Sequence, residues 1–431
     1  MARHLLLVLA LCLPVACGGG STPAPESIST PTVVVEAPPA STIRDTPQPA
    51  RPSSACRGRI AFVASTDDGQ DLFVINADGS SLANVTNGGG REATPSWSPD
   101  GAQILFSSHA GNSDIFTIQA DGSSLVRLTD DPARDYAPSW SADGTQVLFA
   151  STRVFASDFF VVSVQGGQAV AQTGVGLHKV DFAWSPHAAP GGEYIAFTML
   201  DGYNQGEVYV MAAPDETGSP GGQPVNLTEH PAHDCCVAWA PDGERLLFLS
   251  SRNDGGGGLL LGRHWIDSSY EDLRVRAGPR ARQGWGSDST IPSEVVRPLT
   301  TVVPKPPQGI WLIHRDGSGL TRLTNGDGIE REATWSPDGS QIAFVSDRDG
   351  NDEIYLLPVG EGAAAAGGEP VRLTDHPKDD RRPTWSRDGT CLAFESRRDG
   401  EWGLYVMSAD GSGLKRLSDS AGWGSSPSWS P

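Results

Sequence analysis

The chain has 431 residues, with 51 glycines, 33 prolines and 12 tryptophans but only 4 methionines. This composition favours many short strands joined by turns. The formal net charge of −20 excludes a nucleic-acid backbone as the partner, because binding to phosphates requires a surplus of Lys and Arg. A single compact core of this length is also unexpected, unless the chain is built from repeats that pack on their neighbours.

The first segment resembles a bacterial lipoprotein signal peptide. An apolar run over residues 5–13 follows Arg3 and is too short to span a bilayer. We predict a signal peptide over residues 1–16 and lipidation of Cys17, with ordinary cleavage that releases a free protein as the alternative. Both outcomes predict an extracytoplasmic location in the cell envelope of a bacterium.

The next segment, residues 17–56, is rich in Ser, Thr, Pro and Ala and poor in aromatic side chains. Such a segment buries too little apolar surface to offset the entropy lost on ordering. We therefore predict a disordered tether between the signal peptide and the folded part of the chain.

The folded part, residues 57–431, repeats one phrase that begins with tryptophan. The seven copies start at Trp97, Trp140, Trp184, Trp239, Trp335, Trp385 and Trp429. Around Trp97, short strands are predicted at 95–97, 104–106 and 115–118, with a fourth that ends in Leu-Thr at 128–129, because apolar residues alternate with period two. Units of about 40–45 residues with four strands are the size of propeller blades.

The phrase P-x-W-S-P-D-G-x-x-I-x-F, followed by an I-Y-V-M strand and a Leu-Thr strand, resembles the repeat of TolB-like β-propellers. The resemblance implies an all-β β-propeller closed by a C-terminal strand, here at 427–429, that joins the first blade, and the count of repeats in this chain predicts seven blades. TolB itself has six blades behind an α/β domain, so the resemblance implies the fold more strongly than the role. If the ring closes in this way, Cys56 and Cys391 lie on adjacent blades and can form a disulfide. Cys235 and Cys236 are either a vicinal disulfide or two small residues that start an inner strand.

The strand order predicts two different faces. Turns after the first and third strands are tight Asp-Gly turns, whereas loops after the second and fourth strands are longer and share the opposite face, which we call the loop face. Function in propellers is expected on such loops. The longest gap between tryptophans places an insert at 253–308 on this face. The insert contains an Arg cluster with neighbouring aromatic residues, typical of an interface, and a disordered excursion is the alternative. The cluster consists of Arg274, Arg276, Arg280 and Arg282.

Charged residues recur five and six positions before the tryptophans. The first layer is Glu92, Asp135, Lys179, Asp234, Glu330 and Asp380, and the second layer includes Arg91, Arg134, His178 and His233, with Arg331 and Arg381 close by. These residues predict a charged channel mouth that binds a ligand or a protein tail. The acids have a second interpretation, in which they accept hydrogen bonds and fix blade to blade.

Catalytic and metal chemistry are the competing hypotheses. His178, His230, His233 and His376 are all predicted in loop-face loops and could ligate a divalent metal ion with carboxylates. The sequence contains neither a compact zinc motif nor a G-x-S-x-G nucleophile elbow. We therefore expect no cofactor and a monomeric, non-catalytic propeller that binds a protein or envelope component. A metal-dependent lyase or hydrolase acting on glycan or peptide at the channel mouth is the alternative.

Overall fold

The computed structural model describes residues 56–88, 90–153, 157–173, 179–186, 189, 192–200, 205–215, 220–252, 309–360, 368–418 and 426–431. The predicted signal peptide, Cys17, nearly all of the tether and the 253–308 insert lie outside these residues. Among the described residues, no helix has the length and apolar character that a membrane span requires.

Four strands build each blade. The inner strands are β4 (Glu92–Trp97), β8 (Asp135–Trp140), β12 (Lys179–Trp184), β16 (Asp234–Trp239), β20 (Glu330–Trp335), β24 (Asp380–Trp385) and β28 (Ser428–Trp429). The second strands are β1 (Arg59–Thr66), β5 (Gln103–Ala110), β9 (Gln146–Ser151), β13 (Tyr194–Leu200), β17 (Arg245–Ser250), β21 (Gln341–Ser346) and β25 (Cys391–Ser396). The third strands are β2 (Gly69–Asn76), β6 (Asn112–Gln119), β10 (Asp158–Ser163), β14 (Gly206–Ala212), β18 (Gly309–His314), β22 (Glu353–Pro358) and β26 (Gly403–Ser408). The outer strands are β3 (Ala83–Asn84), β7 (Val126–Arg127), β11 (Val170–Ala171), β15 (Val225–Asn226), β19 (Thr321–Arg322), β23 (Val371–Arg372) and β27 (Lys415–Arg416).

These strands form seven antiparallel four-stranded sheets, which we number blades 1 to 7 from the sheet that contains β1. Each inner strand contacts the inner strands of both neighbouring blades, so the seven close a ring around a central channel. The predicted all-β, seven-bladed propeller is confirmed.

The last strand closes the ring. β28 pairs with β1 through Ile60 opposite Trp429 and Ala61 opposite Ser428, so it supplies the inner strand of blade 1. A disulfide between Cys56 and Cys391 joins the start of blade 1 to blade 7. Both the closure and the bridge between adjacent blades agree with the sequence interpretation.

The core lies between blades. Ala61 and Leu72 of blade 1 pack with Trp97, Ile104 and Phe106 of blade 2 in one buried cluster. The phenylalanines of the I-x-F strands are almost completely buried in this way. Because each blade buries its apolar face only against a neighbour, the repeats are stable as a ring.

The repeated tryptophans also join the blades through hydrogen bonds. The indole N–H of Trp140 donates to the carbonyl of Ser96 at 3.1 Å, and Ser96 precedes the tryptophan of the previous blade. The same bond recurs at four further tryptophans: Trp97, Trp239, Trp385 and Trp429. The indole nitrogens of Trp184 and Trp335 are buried without a hydrogen-bond partner. Five of the seven tryptophans therefore bond their blade to the one before it.

The predicted strand bounds need two corrections. The inner strands of blades 2 to 7 begin five residues before the tryptophan, not two, so the first charged layer belongs to the strands and not to the loops. The outer strands contain two residues and end before the Leu-Thr pair, because the threonine turns inward to bond the third strand, as Thr129 does with the N–H of Ile115 at 3.0 Å.

Candidate functional site

The acids of the first charged layer are buried. Glu92 is 4% exposed, Glu330 is 1% exposed, and Asp135, Asp234 and Asp380 are 0% exposed. A ligand in the channel cannot contact them without rearrangement of the inner strands. The burial of these acids favours their other interpretation, as groups that fix blade to blade, and their part in a charged mouth stays a prediction.

An arginine at the end of the second strand neutralises four of these acids, and a serine two residues earlier accepts a hydrogen bond from that arginine. In blade 6, the guanidinium of Arg348 contacts Glu330 at 2.7 Å and Ser346 Oγ at 3.1 Å. The same guanidinium lies over the rings of Phe344 and Tyr355. Equivalent Ser-x-Arg pairs occur in blades 3, 5 and 7, at Ser151/Arg153, Ser250/Arg252 and Ser396/Arg398.

The same acids also reach the preceding blade. Glu330 accepts a hydrogen bond from the N–H of Ile310 at 3.1 Å and another from the hydroxyl of Thr324, both in blade 5. Burial raises the pKa of Glu330 to about 7, against the opposing effects of Thr324 and Arg348. Burial likewise raises the pKa of Glu92, Asp234 and Asp380. These carboxylates are structural groups whose ionisation burial makes costly.

Blade 4 reverses the charge at this position. Lys179 Nζ contacts Asp158 Oδ1 of blade 3 at 3.1 Å, and the two side chains are 0% and 3% exposed. A buried cation and a buried anion from neighbouring blades thus replace the acid and arginine found elsewhere. The position serves blade packing with either sign of charge.

The second charged layer remains nearer the surface. Arg91 is exposed, and Arg134 and His233 are half-buried. Arg331 contacts Asp352 of its own blade at 2.9 Å. Arg381 of blade 7 also contacts Asp352, which is itself buried, and so joins blades 6 and 7. His178 lies outside the described residues, as do Arg274, Arg276, Arg280 and Arg282 of the insert.

A basic patch lies at the loop face of blade 7. The guanidinium groups of Arg381 and Arg397 are each centred 5.5 Å from the ring of Trp402. Beside them, Lys378 and Arg397 help to line a polar cavity of about 250 Å³. We call Lys378, Arg381, Arg397 and Trp402 the basic patch. The sequence reasoning identified Arg381 alone, since the other three residues do not recur at a fixed distance from a tryptophan.

A larger cavity of about 540 Å³ opens near the tight turns of blades 3 and 4. Its wall includes Asp143, Glu193 and Asp215. This wall is acidic and formed by turn residues. None of the residues that line it is a predicted site residue.

The channel wall contains a feature that the sequence did not reveal. The residue three positions before the tryptophan has a positive φ, between 46° and 63°, in blades 2 to 7. The pairing of inner and second strands shifts register at the same place in every one of these blades. These residues, which we call the channel ring, are Thr94, Ala137, Asp181, Cys236, Glu332 and Arg382. Side chains rarely adopt this conformation, at a cost of roughly 1–2 kcal/mol each, so the bulge is imposed by the blade architecture.

The histidines do not form the predicted metal centre within the described residues. Nδ1 of His230 accepts the N–H of Ala232, Nδ1 of His376 accepts that of Lys378, and Nδ1 of His233 accepts that of Gly206. In the described part of the chain, the one group of at least three metal-ligand side chains in mutual reach is Asp181, Cys235 and Cys236, which includes no histidine.

His233 is nevertheless part of this region, because it hydrogen-bonds Cys235. Hydrogen bonds from Cys236 and His233 lower the pKa of the Cys235 thiol, against the effect of burial. Burial lowers the pKa of His233, but Cys235 and the carboxylates of Asp234 and Asp181 raise it overall.

Comparison with known proteins adds a sequence relative. A stretch of 142 residues is 32% identical to a protein TolB homolog from Chlorobium luteolum and covers 33% of this chain. The chain carries TolB-like propeller repeats. The match spans 30% of that relative's length, so the chain matches less than a third of it. No protein-family model matches the chain.

Solved structures share the fold. The β-propeller domain of the trilobed protease from Pyrococcus furiosus is 12% identical, with a TM-score of 0.52 over 85% of this chain and 96% of that chain. An oligogalacturonate lyase from Vibrio parahaemolyticus is 13% identical, with a TM-score of 0.51 over 84% of this chain and 86% of that chain. At such identities the likeness concerns the propeller fold alone.

Proposed function

We propose that the chain is a non-catalytic, extracytoplasmic propeller that binds a protein or envelope ligand through its loop face. The TolB-like repeats support a binding role, and the Cys56–Cys391 disulfide supports an oxidising compartment outside the cytoplasm. The observation that carries the proposal is the basic patch of blade 7.

The basic patch has the chemistry of a binding site. Trp and Arg are the residues most enriched among those that dominate binding energy at protein interfaces. The stacking of Arg381 and Arg397 on Trp402 holds the cations and the ring in place before a ligand arrives, which lowers the entropy lost on binding. Arg381 is already paired with Asp352 and Asp379, so Lys378 and Arg397 are the cations of the patch that select carboxylate groups, as on an acidic segment of a partner protein.

A capture experiment with envelope extract of the source bacterium tests this proposal. The full chain is compared with the double variant Arg397→Ala/Trp402→Ala, and the proteins retained by each are identified by mass spectrometry. We expect the double variant to lose partners that the unaltered chain retains, with at least a tenfold loss of affinity for a purified partner, since central Trp and Arg anchors contribute about 2 kcal/mol or more each.

The matched control is Arg387→Ala. Arg387 is also exposed and lies in the same blade, but in the tight turn after the inner strand, on the opposite face. The control should retain the same partners as the unaltered chain. Equal recovery by the double variant and the control would refute binding through the basic patch.

Attachment to the membrane is a separate part of the proposal. Lipidation of Cys17 would hold the propeller at the membrane surface by a lipid anchor alone. A Cys17→Ser variant should move from the membrane fraction to the soluble envelope fraction, and an unchanged distribution would contradict the anchor.

The enzymatic alternative stays a prediction. The propellers of a lyase and of a protease resemble this one at 13% and 12% identity, which shows the shared fold alone.

A further inference from the structure

The thiols of Cys235 and Cys236 lie with the carboxylate of Asp181 in the wall of the central channel. The ligand atoms of the three side chains are all within 4.8 Å of one another. Asp181 belongs to β12 and the cysteines belong to β16, so the group joins blades 4 and 5. We propose that these three residues bind a thiophilic divalent metal ion of the zinc class, an ion site inside the channel that is distinct from the ligand surface on the loop face.

The local backbone explains how adjacent cysteines can face one ion. Successive side chains of a regular strand point to opposite faces, which would separate the two sulfurs. Cys236 has φ of 63°, and this bulge places its Sγ on the same side as the Sγ of Cys235, 2.7 Å away. Two thiolates on one tetrahedral zinc stand about 3.8 Å apart, so the exposed Cys236 side chain must rotate outward by about 1 Å when the ion binds. Asp181, with φ of 46°, occupies the equivalent bulge of the preceding blade. The channel ring therefore supplies Asp181 and Cys236 from neighbouring blades, and Cys235 beside the bulge is the third ligand.

His233 supports the group from behind. Its Nδ1 accepts the N–H of Gly206 at 2.9 Å, so the ring proton of the neutral imidazole resides on Nε2. The side chain also hydrogen-bonds Cys235, and with this tautomer Nε2–H donates to the sulfur. His233 is thus a positioning residue, which orients the Cys235 sulfur and is not itself a ligand. Metal sites commonly depend on such outer hydrogen bonds.

The donor set selects the type of ion. Two thiolates and one carboxylate carry three negative charges, and Cys235 is only 7% exposed. Because buried charge is costly unless it is paired, a divalent cation stabilises this group by neutralising most of its charge. Thiolates favour zinc-class ions over Mg²⁺ and Ca²⁺, which prefer oxygen ligands. Cys236 is exposed, so an ion can enter from the channel. Three protein ligands leave a fourth tetrahedral position open to water or another donor.

Co²⁺ is a suitable probe, because thiolate ligation of Co²⁺ gives a charge-transfer absorption. The full chain is reduced with a phosphine and titrated with Co²⁺, which is then displaced by Zn²⁺. We expect one Co²⁺ per chain. Cys236→Ser should reduce the charge-transfer absorption, Asp181→Asn should weaken binding at least tenfold, and His233→Gln should weaken it roughly 10–100-fold.

The matched control is Glu332→Gln. Glu332 is also a channel-ring carboxylate, at the position of blade 6 that corresponds to Cys236 of blade 5, and its variant should bind Co²⁺ as the unaltered chain does. Far-UV circular dichroism and the urea midpoint identify variants that do not fold. Binding that is unchanged in both Cys236→Ser and Asp181→Asn overturns the proposal.

A measurement on the unaltered chain avoids the folding question. Zn²⁺ should slow alkylation of Cys236 at least tenfold, as judged by peptide mass spectrometry of the reduced protein. A reduced chain that binds no Co²⁺ and whose Cys236 reacts equally with and without Zn²⁺ overturns the proposal, and leaves the pair as thiols or a vicinal disulfide only.

Discussion

The tryptophan hydrogen bonds predict unequal effects of one conservative substitution. Trp140 and Trp184 occupy equivalent inner-strand positions and are 7% and 8% exposed. The indole of Trp140 donates to Ser96 O at 3.1 Å, whereas that of Trp184 is buried without a partner. Replacement by Phe removes a similar apolar area at both positions, so the loss of packing largely cancels in the comparison.

The remaining difference is the hydrogen bond. Trp140→Phe removes the donor and leaves the Ser96 carbonyl without it, which costs about 1–3 kcal/mol. Trp184→Phe removes a buried N–H that bonds to nothing, so it avoids that cost. We expect Trp140→Phe to lower the free energy of unfolding by about 1–2 kcal/mol more than Trp184→Phe does.

Urea unfolding followed by far-UV circular dichroism measures this difference without relying on tryptophan fluorescence, which the substitutions themselves change. Trp335→Phe is a second control, because its indole nitrogen is also without a partner. The reasoning is refuted if Trp184→Phe and Trp335→Phe are as destabilising as Trp140→Phe.

Three further predictions concern stability. Arg398→Gln should lower the free energy of unfolding in urea by about 3–5 kcal/mol, because it removes the ion pair of the buried Asp380 carboxylate. Arg397→Gln, at the exposed neighbouring position, should lower it by less than about 0.5 kcal/mol. Equal effects would contradict the role of the Ser-x-Arg pair. Burial raises the pKa of Glu330 from 4.5 to about 7, so between these pH values the unfolded chain releases a proton that the folded chain keeps, and stability falls as pH rises. Glu330→Gln should remove roughly 3 kcal/mol of that fall, and an unaltered pH profile of the urea midpoint would be the contrary result. Cys391→Ser should lower the free energy of unfolding by about 2–5 kcal/mol under non-reducing conditions, because it removes the disulfide. Under reducing conditions the variant and the unaltered protein should be equally stable.

The sequence predicted the ring because its signals are local. Each strand and turn carries its own period-two pattern and Asp-Gly pair, and Trp429 repeats the first strand of a unit whose remainder lies near residue 60. The count of repeats therefore predicted the closure of the ring. The closure in turn placed Cys56 and Cys391 on adjacent blades, where a disulfide is possible.

The charged positions were located correctly but interpreted less well. Whether Asp380 is exposed depends on Ser396 and Arg398, which come 16 and 18 residues later across the strand pair. The Ser-x-Arg pair at the end of the second strand was visible in four repeats and would have indicated buried neutralisation. A search for partners at the same offset in every repeat would have found it.

The channel ring had no comparable signal. Positive φ usually occurs at Gly or Asn, yet the ring contains residues as different as Ala137 and Arg382. The conformation is set by strand pairing and blade crowding, so only three-dimensional structure shows that Cys236 and Asp181 face each other across a blade boundary.

The two-residue strand β28 has a consequence for how the protein is made. Its partner in blade 1 lies far back in the chain, since Arg59 bonds a residue 371 positions later. The edge of β1 therefore stays unpaired until β28, at the end of the chain, has joined it after the six intervening blades. Contacts of such long sequence separation form slowly, and an exposed strand edge invites pairing with other chains. We therefore expect a folding intermediate, competent to aggregate, that persists until the ring closes.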